Sequence, residues 1–148
     1  MTKPLRKLRL EDEPLWVETN SIAEEIYKIL SDIPEDEKWD IASKLRTSAV
    51  NLMFSIAEAL GDARPVTTEF EWGESRKYIA SLKTIYRFAG KQGFFELDPN
   101  MMVRFDKLMS DIDDKIAAAY DQTEADNKHD LDMWRTKYQL WREKASEN

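Results

Sequence analysis

Residues 42–60, ASKLRTSAVNLMFSIAEAL, decide how this chain folds. Ala42, Leu45, Ala49, Leu52, Ile56 and Ala59 recur at intervals of three and four, which is the period of one helix face. A second row, Val50, Met53, Ala57 and Leu60, lies beside the first. At about 100° per residue the two rows span roughly 160°, wider than the ~100° stripe of a helix with one covered side. A helix of this kind needs neighbours on two sides. We expect it to lie inside a bundle, with part of its apolar arc left for a further partner.

The flanking segments carry the same period. Residues 14–33 open with Pro14, suited to a first helical turn, and repeat Leu15, Thr19, Ile22, Ile26, Ile29 and Ile33 as a heptad seam with one polar member. Ile33-Pro34 stops that helix, and the acids Glu35, Asp36 and Glu37 suit the positive end of the next. Gly61 to Val66 read as a loop, after which Thr68 and Glu71 have the spacing of a capping box. The third helix then carries Tyr78, Ile79, Leu82, Ile85, Tyr86 and Ala89, with Gly90 or Gly93 placed to end it. Asp98-Pro99 form an N-cap and first-turn pair for a fourth helix, whose expected seam is Met102, Phe105, Met109, Ile112, Ile116 and Ala119.

Past Tyr120 the stretch from Asp121 to Asp130 is polar but holds neither glycine nor proline, so a continuing helix and a frayed one both fit. Leu131, Trp134, Tyr138 and Trp141 then recur at three, four and three, in heptad phase with Tyr120. Burying one large apolar side chain is worth ~1.5–3 kcal/mol, so this stripe should dock, either on its own bundle or on another molecule. The expected organisation is a basic N-terminal tail over 1–13, a four-helix bundle over 14–122 and an amphipathic helical extension over 123–148. The fold class is all-α, an antiparallel up-down-up-down bundle with short connections.

Composition narrows the function. The chain has 148 residues, room for one ordinary domain, and 29 acidic against 22 basic residues give a net charge of -7. That charge opposes general affinity for phosphate backbones or anionic lipid. Without cysteine there are no disulfides, thiolate ligands or cysteine nucleophile, which fits a cytoplasmic protein. Lys3, Arg6, Lys7 and Arg9 precede no apolar run, so the start does not read as a signal peptide, and no stretch approaches the ~20 apolar residues of a membrane span. The sole histidine, His129, lies in the polar gap with no fixed carboxylate at ligand spacing, and a di-metal bundle would need a Glu-x-x-His motif that is missing. The glycines form no phosphate loop, and a serine triad would have only His129 as its base. We expect no enzyme, no metal and no cofactor.

Two basic features need a partner. Arg76, Lys83, Arg87 and Lys91 fall within roughly 80° of one another on the third helix, opposite its apolar arc. They form either a strip for phosphates or a solvated face paired with acids of neighbouring helices. Arg46, unlike Lys44, falls at the edge of the apolar arc between Met53 and Val50, where a guanidinium needs a carboxylate or carbonyl.

Lys44-Leu45-Arg46, Ala49-Val50 and the run from Ile56 to Gly61 resemble the bacterial four-helix-bundle family named after proteins encoded in 23S rRNA intervening sequences. Leu15-Trp16, Ile26-Tyr27-Lys28 and Gly93-Phe94 extend the likeness over about residues 14–120. The resemblance implies an up-down-up-down bundle, commonly a homopentamer, without enzymatic activity. A related branch, the accessory variability determinant proteins of diversity-generating retroelements, binds nucleic acid and a reverse transcriptase. Here the second arginine of the family's pair is Thr47, its Pro-x-Asn segment reads Met53-Phe54-Ser55, and its Glu-Gly is Glu58-Ala59. Arg46 matches the family's first arginine.

The expectation is thus a non-enzymatic, self-associating interaction or accessory protein that meets copies or partners through Val50, Met53, Ala57, Leu60, Leu131, Trp134, Tyr138 and Trp141. A nucleic-acid-binding accessory protein using Lys44, Arg46, Arg76, Lys83, Arg87 and Lys91 is the alternative.

Overall fold

The chain's structure is a computed structural model that describes residues 7–62 and 65–147, with the backbone alone at 65–67. Lys3 and Arg6 of the basic tail, and the side chains of Pro65 and Val66, lie outside the described residues. Four α-helices follow in order: α1 (Pro14–Ile29), α2 (Ser43–Gly61), α3 (Pro65–Lys91) and α4 (Pro99–Ser146). Among the described residues there is no strand.

Each helix begins and ends for a local reason. Pro14 opens α1 with its φ already set and no N–H to leave unpaired. One 3-10 turn, Leu30–Asp32, follows, and Ile33 is extended (ψ 132°), as steric contact with the ring of Pro34 requires. The acidic run expected to start the second helix instead forms a separate 3-10 turn, Glu35–Glu37. A single wide π turn, Lys38–Ala42, then leads into α2. The expected capping box at Thr68 and Glu71 is not an N-terminus either, because α3 has already begun at Pro65. Pro65 sets φ for the first turn and leaves one N–H fewer to satisfy, and Thr68 falls inside the helix.

Gly93, not Gly90, ends the third helix. At φ 82° it occupies the left-handed region, and the Phe94 and Gly93 N–H groups donate to the Ala89 and Gly90 carbonyls in the Schellman pattern. Gly90 serves a different need, since a Cβ there would lie 2.3 Å from Leu97 Cγ and Cδ2. The turn at 92–98 is held down by Tyr86. Its ring lies 5.1 Å from that of Phe95 and 5.4 Å from that of Phe105, and its hydroxyl accepts from the Asp98 N–H at 3.0 Å. Burial raises the Tyr86 phenol above its ordinary value. The neutral phenol's contribution is therefore present below about pH 10 and lost as pH rises through the folded-state value. Asp98 caps α4 as its sequence implies, accepting from the Asn100 N–H at 2.9 Å ahead of Pro99.

The core is one cluster. α2 packs against α1 on one side and α3 on the other, α3 packs against α4, and α4 touches α1. All six residues of the first α2 row are buried, as are Leu15, Thr19, Ile22 and Ile26 of α1 and Ile79, Leu82, Tyr86 and Ala89 of α3. The polar seam member Thr19 is satisfied internally, donating to the Leu15 carbonyl at 2.7 Å. On α4 the buried row is Met101, Phe105, Leu108 and Ile112. Of the expected seam, Phe105 and Ile112 belong to this row, whereas Met102, Met109 and Ile116 are only partly buried and flank it. Both rows have heptad spacing, and the period alone does not say which of two adjacent rows faces inward.

Gly90 and Gly61 give opposite expectations. Gly90→Ala should lower the unfolding free energy by roughly 1–3 kcal/mol through the contact with Leu97. Gly61→Ala, with nothing within 4 Å, should raise it by a few tenths to about 1 kcal/mol. Urea titrations followed by circular dichroism measure both.

Candidate interaction surfaces

The second α2 row lies where two helices leave it half covered. Val50, Met53, Ala57 and Leu60 are all partly buried, and Phe54 beside them is 63% exposed. Across from Met53, α1 supplies Ala23 and the exposed Tyr27, and between the helices runs a shallow groove of about 560 Å³. α1 and α3 cover the first row completely, which satisfies the wide arc's need for two neighbours. The outer row keeps apolar surface in water.

The cationic residues are split between two conditions. Arg76 donates to Asp113 of α4 at 2.6 Å, Lys83 pairs with Asp106 of α4, and Lys44 pairs with Asp40 at 2.7 Å. These carboxylates compete with any phosphate for the same cations. Arg87 and Lys91 are exposed beside the half-exposed Phe88. Arg46 is exposed rather than held at the edge of the buried arc, and among the described residues it makes no hydrogen bond or ion pair. The expectation that it needs a buried partner is corrected for that reason: water already solvates the guanidinium.

α4 does not fray at the polar gap. It runs unbroken for 48 residues, about 72 Å at 1.5 Å each. Past Thr123 every described residue is exposed, so the distal half of α4 stands clear of its own bundle as an arm. Leu131, Trp134, Tyr138 and Trp141 lie along it at 46–64% exposure. The rings stack on one another, with Trp134 and Tyr138 centroids 5.5 Å apart and Tyr138 and Trp141 6.1 Å apart. Of the two destinations open to this stripe, its own bundle is not the one it takes.

Arg104 is the polar centre that sequence reasoning missed. Its Nε donates to Glu18 at 2.7 Å, Nη1 to Glu25 at 2.9 Å and Nη2 to the Ser21 hydroxyl at 2.9 Å, with the side chain 18% exposed. Hydrogen bonding to Glu18 holds the guanidinium more firmly protonated than usual, against the opposing effect of burial. Glu18, Ser21 and Glu25 share one face of α1 at spacings of three and four, the signal that points to a cation opposite. This clamp ties α1 to α4 and has a structural role.

Chemistry-bearing groups do not converge elsewhere among the described residues. The buried polar side chains are Thr19, Ser55 and Ser75. Ser55 donates to the Leu52 carbonyl, and the single Ser75 proton is shared between Ser55 Oγ at 2.9 Å and the Glu71 carbonyl at 3.0 Å. No group of three metal-ligating side chains occurs among these residues, and His129 is exposed on the arm. Among the described residues no helix is long and apolar enough to cross a membrane. A scan against protein-family models and a search of curated proteins return no match to this chain.

Arg104→Ala should cost about 1–3 kcal/mol, because it removes three charge-assisted bonds and strands two carboxylates near each other. Arg104→Lys should recover only part of that, since an ammonium does not reproduce the guanidinium fork. Equilibrium unfolding of both variants checks the order.

Proposed function

We propose that this chain is a non-enzymatic, self-associating interaction or accessory protein built on an up-down-up-down antiparallel bundle. Residue pairing supports the alternation of helix direction. Along α3 and α4 the partners run oppositely, Arg76 with Asp113 and Lys83 with Asp106, and Arg104 of α4 meets Glu18 and Glu25 of α1. The observation that carries the reading is apolar surface left uncovered by the chain's own helices, on the α2 outer row with Phe54 and on the arm. Contiguous apolar patches of this kind on a globular chain mark sites where another macromolecule binds.

We assign the α2 row, with the neighbouring α1 groove, to contacts between copies, and the arm to partner recruitment. A core whose three buried hydroxyls, Thr19, Ser55 and Ser75, are taken up by carbonyls of their own helices and by the Ser75–Ser55 bond favours a scaffold over catalysis. A closed homo-oligomer is the simplest assembly, and a pentamer is the number that the family resemblance implies. The accessory nucleic-acid reading is the weaker one, because carboxylates already engage Arg76, Lys83 and Lys44 and the net charge is -7. Arg46, Arg87 and Lys91 are the cations left to serve it.

Light scattering during size-exclusion chromatography should give a mass that is a whole multiple of one chain. The double variant V50E/F54E should lower that mass while leaving the helical spectrum nearly unchanged, since neither side chain is fully buried, and should lower the unfolding midpoint by what assembly contributes. A wild-type monomer across the accessible concentration range rejects self-association.

A further inference from the structure

The arm's aromatic seam is flanked by cations on both sides. Projected on a helical wheel, Lys128, Arg135 and Arg142 recur every seven residues along one flank, and Lys137 and Lys144 lie along the other. One acid, Asp130, stands on the flank of Lys137 and Lys144, a heptad before Lys137, while Asp132 and Glu143 lie on the side opposite the seam. Arg135 stands 3.9 Å from Asp132. Among the described residues, Lys128, Lys137, Arg142 and Lys144 have no ion pair. Residues 124–146 carry five cations and five acids, and the excess of cations, five to three, is confined to residues 128–144 of a chain whose net charge is -7.

Three occupants could cover such a seam, and the observations separate them. A second arm would leave four of the five flank cations without a carboxylate. A parallel pair sets Asp130 of one copy against Arg135 of the other but Lys137 against Arg142, and an antiparallel pair with the aromatic blocks in register sets Arg135 against Arg135. Flanking charges of this sort choose partners in paired helices, and like charges reject them. Single-stranded nucleic acid needs open ring faces on which bases stack. Here Trp134 and Tyr138 lie 3° from parallel and face one another, as do Tyr138 and Trp141 at 24°, so the seam offers mainly ring edges. An anionic membrane favours one broad apolar face, whereas here Lys137, Lys144 and Asp130 separate the two-position seam from the exposed Met133 and Leu140, and a seam of that width is what a partner helix fills.

We propose that the arm, residues 124–146, docks an acidic amphipathic helix of another protein, one that sets an apolar heptad row on Leu131, Trp134, Tyr138 and Trp141 and carboxylates along both basic flanks. This rests on the reading of the arm as a recruitment surface, and its partner differs from the copies that meet at α2. Lys128, Arg135 and Arg142 then pair with one acidic edge of the incoming helix, and Lys137 and Lys144 with the other. Association is faster and tighter at low salt, because the flank pairs are exposed and screened.

The test is fluorescence anisotropy with the full-length chain and two labelled peptides of about four heptads. Both carry leucine on the seam, one with glutamate and the other with lysine at the flanking positions. The glutamate peptide should bind at least tenfold more tightly than the lysine peptide, and more weakly as salt rises. R135E/R142E and, separately, W134A/W141A should each reduce its affinity at least tenfold, with the helical spectrum retained because neither pair contributes to the core. Equal affinity for the two peptides, or no binding of either, overturns the proposal. So does binding of phosphatidylserine vesicles or oligo-dT that is lost in these variants while the glutamate peptide fails to bind. Light scattering of a chain ending at residue 123 separates this proposal from self-association. An unchanged oligomer supports a foreign partner for the arm. Conversion to a monomer identifies a second copy as the occupant, which overturns this inference and leaves self-association standing.

Discussion

Burial of one narrow row on α2, from Ala42 to Ala59, is the contact on which the rest of the molecule rests. Three of its six members are alanines, so α1 and α3 can both approach the α2 backbone closely while Leu45, Leu52 and Ile56 fill the space between them. α1 and α3 are placed by that row. α4 is placed by α3, through Tyr86 against Phe105 and the turn that Gly93 reverses. The Arg104 clamp then ties the last helix back to the first, where apolar contact between α1 and α4 is sparse. Because α2 is held from two sides, its outer row cannot turn inward, and its remaining apolar surface is a consequence of how the core closes.

Much of this is readable in the sequence, and the unread parts have physical causes. The helices, the proline starts of α1 and α4, the Asp98 cap and every member of the inner α2 row follow from period and breaker chemistry, because burial of one helix face imposes a repeat that no other structure shares, whereas Pro65 reads as part of a loop and opens α3 instead. The inward row of α4 is less legible, since Met102, Met109 and Ile116 repeat as regularly as Met101, Leu108 and Ile112. Which row faces inward is set by partner helices far away in sequence. The π turn at Lys38–Ala42 leaves no composition signal, and it turns Trp39 out to 92% exposure. Arg104 is unread for a related reason: a lone arginine beside an apolar row is identified only by the face of α1 opposite it.

The candidate surfaces divide in the same way. The sequence names the aromatic stripe and the outer α2 row by residue, since both are apolar positions in excess of one helix face. It cannot decide whether the stripe folds back on its own bundle, because the polar gap from Asp121 to Asp130 fits a hinge as well as a rod. Helix propensity favours the rod, as there is no glycine or proline to interrupt the backbone ladder. The basic strip of α3 shows the converse case, in which half of a pattern of apparent functional chemistry, Arg76 and Lys83, is taken up by α4 carboxylates. Its spacing is the same under either reading, and the acids that distinguish them lie on another helix.

The central claim is that the distal half of α4 gains no cover from the bundle that its proximal half completes. Amide hydrogen exchange on the isolated chain at low concentration tests this most directly, because protection follows the free energy of local opening. The account predicts slow exchange over residues 101–112 and exchange faster by orders of magnitude over 124–146, within one continuous helix. Equal protection of both halves in a dilute, monomeric sample would place the arm on its own bundle and contradict it.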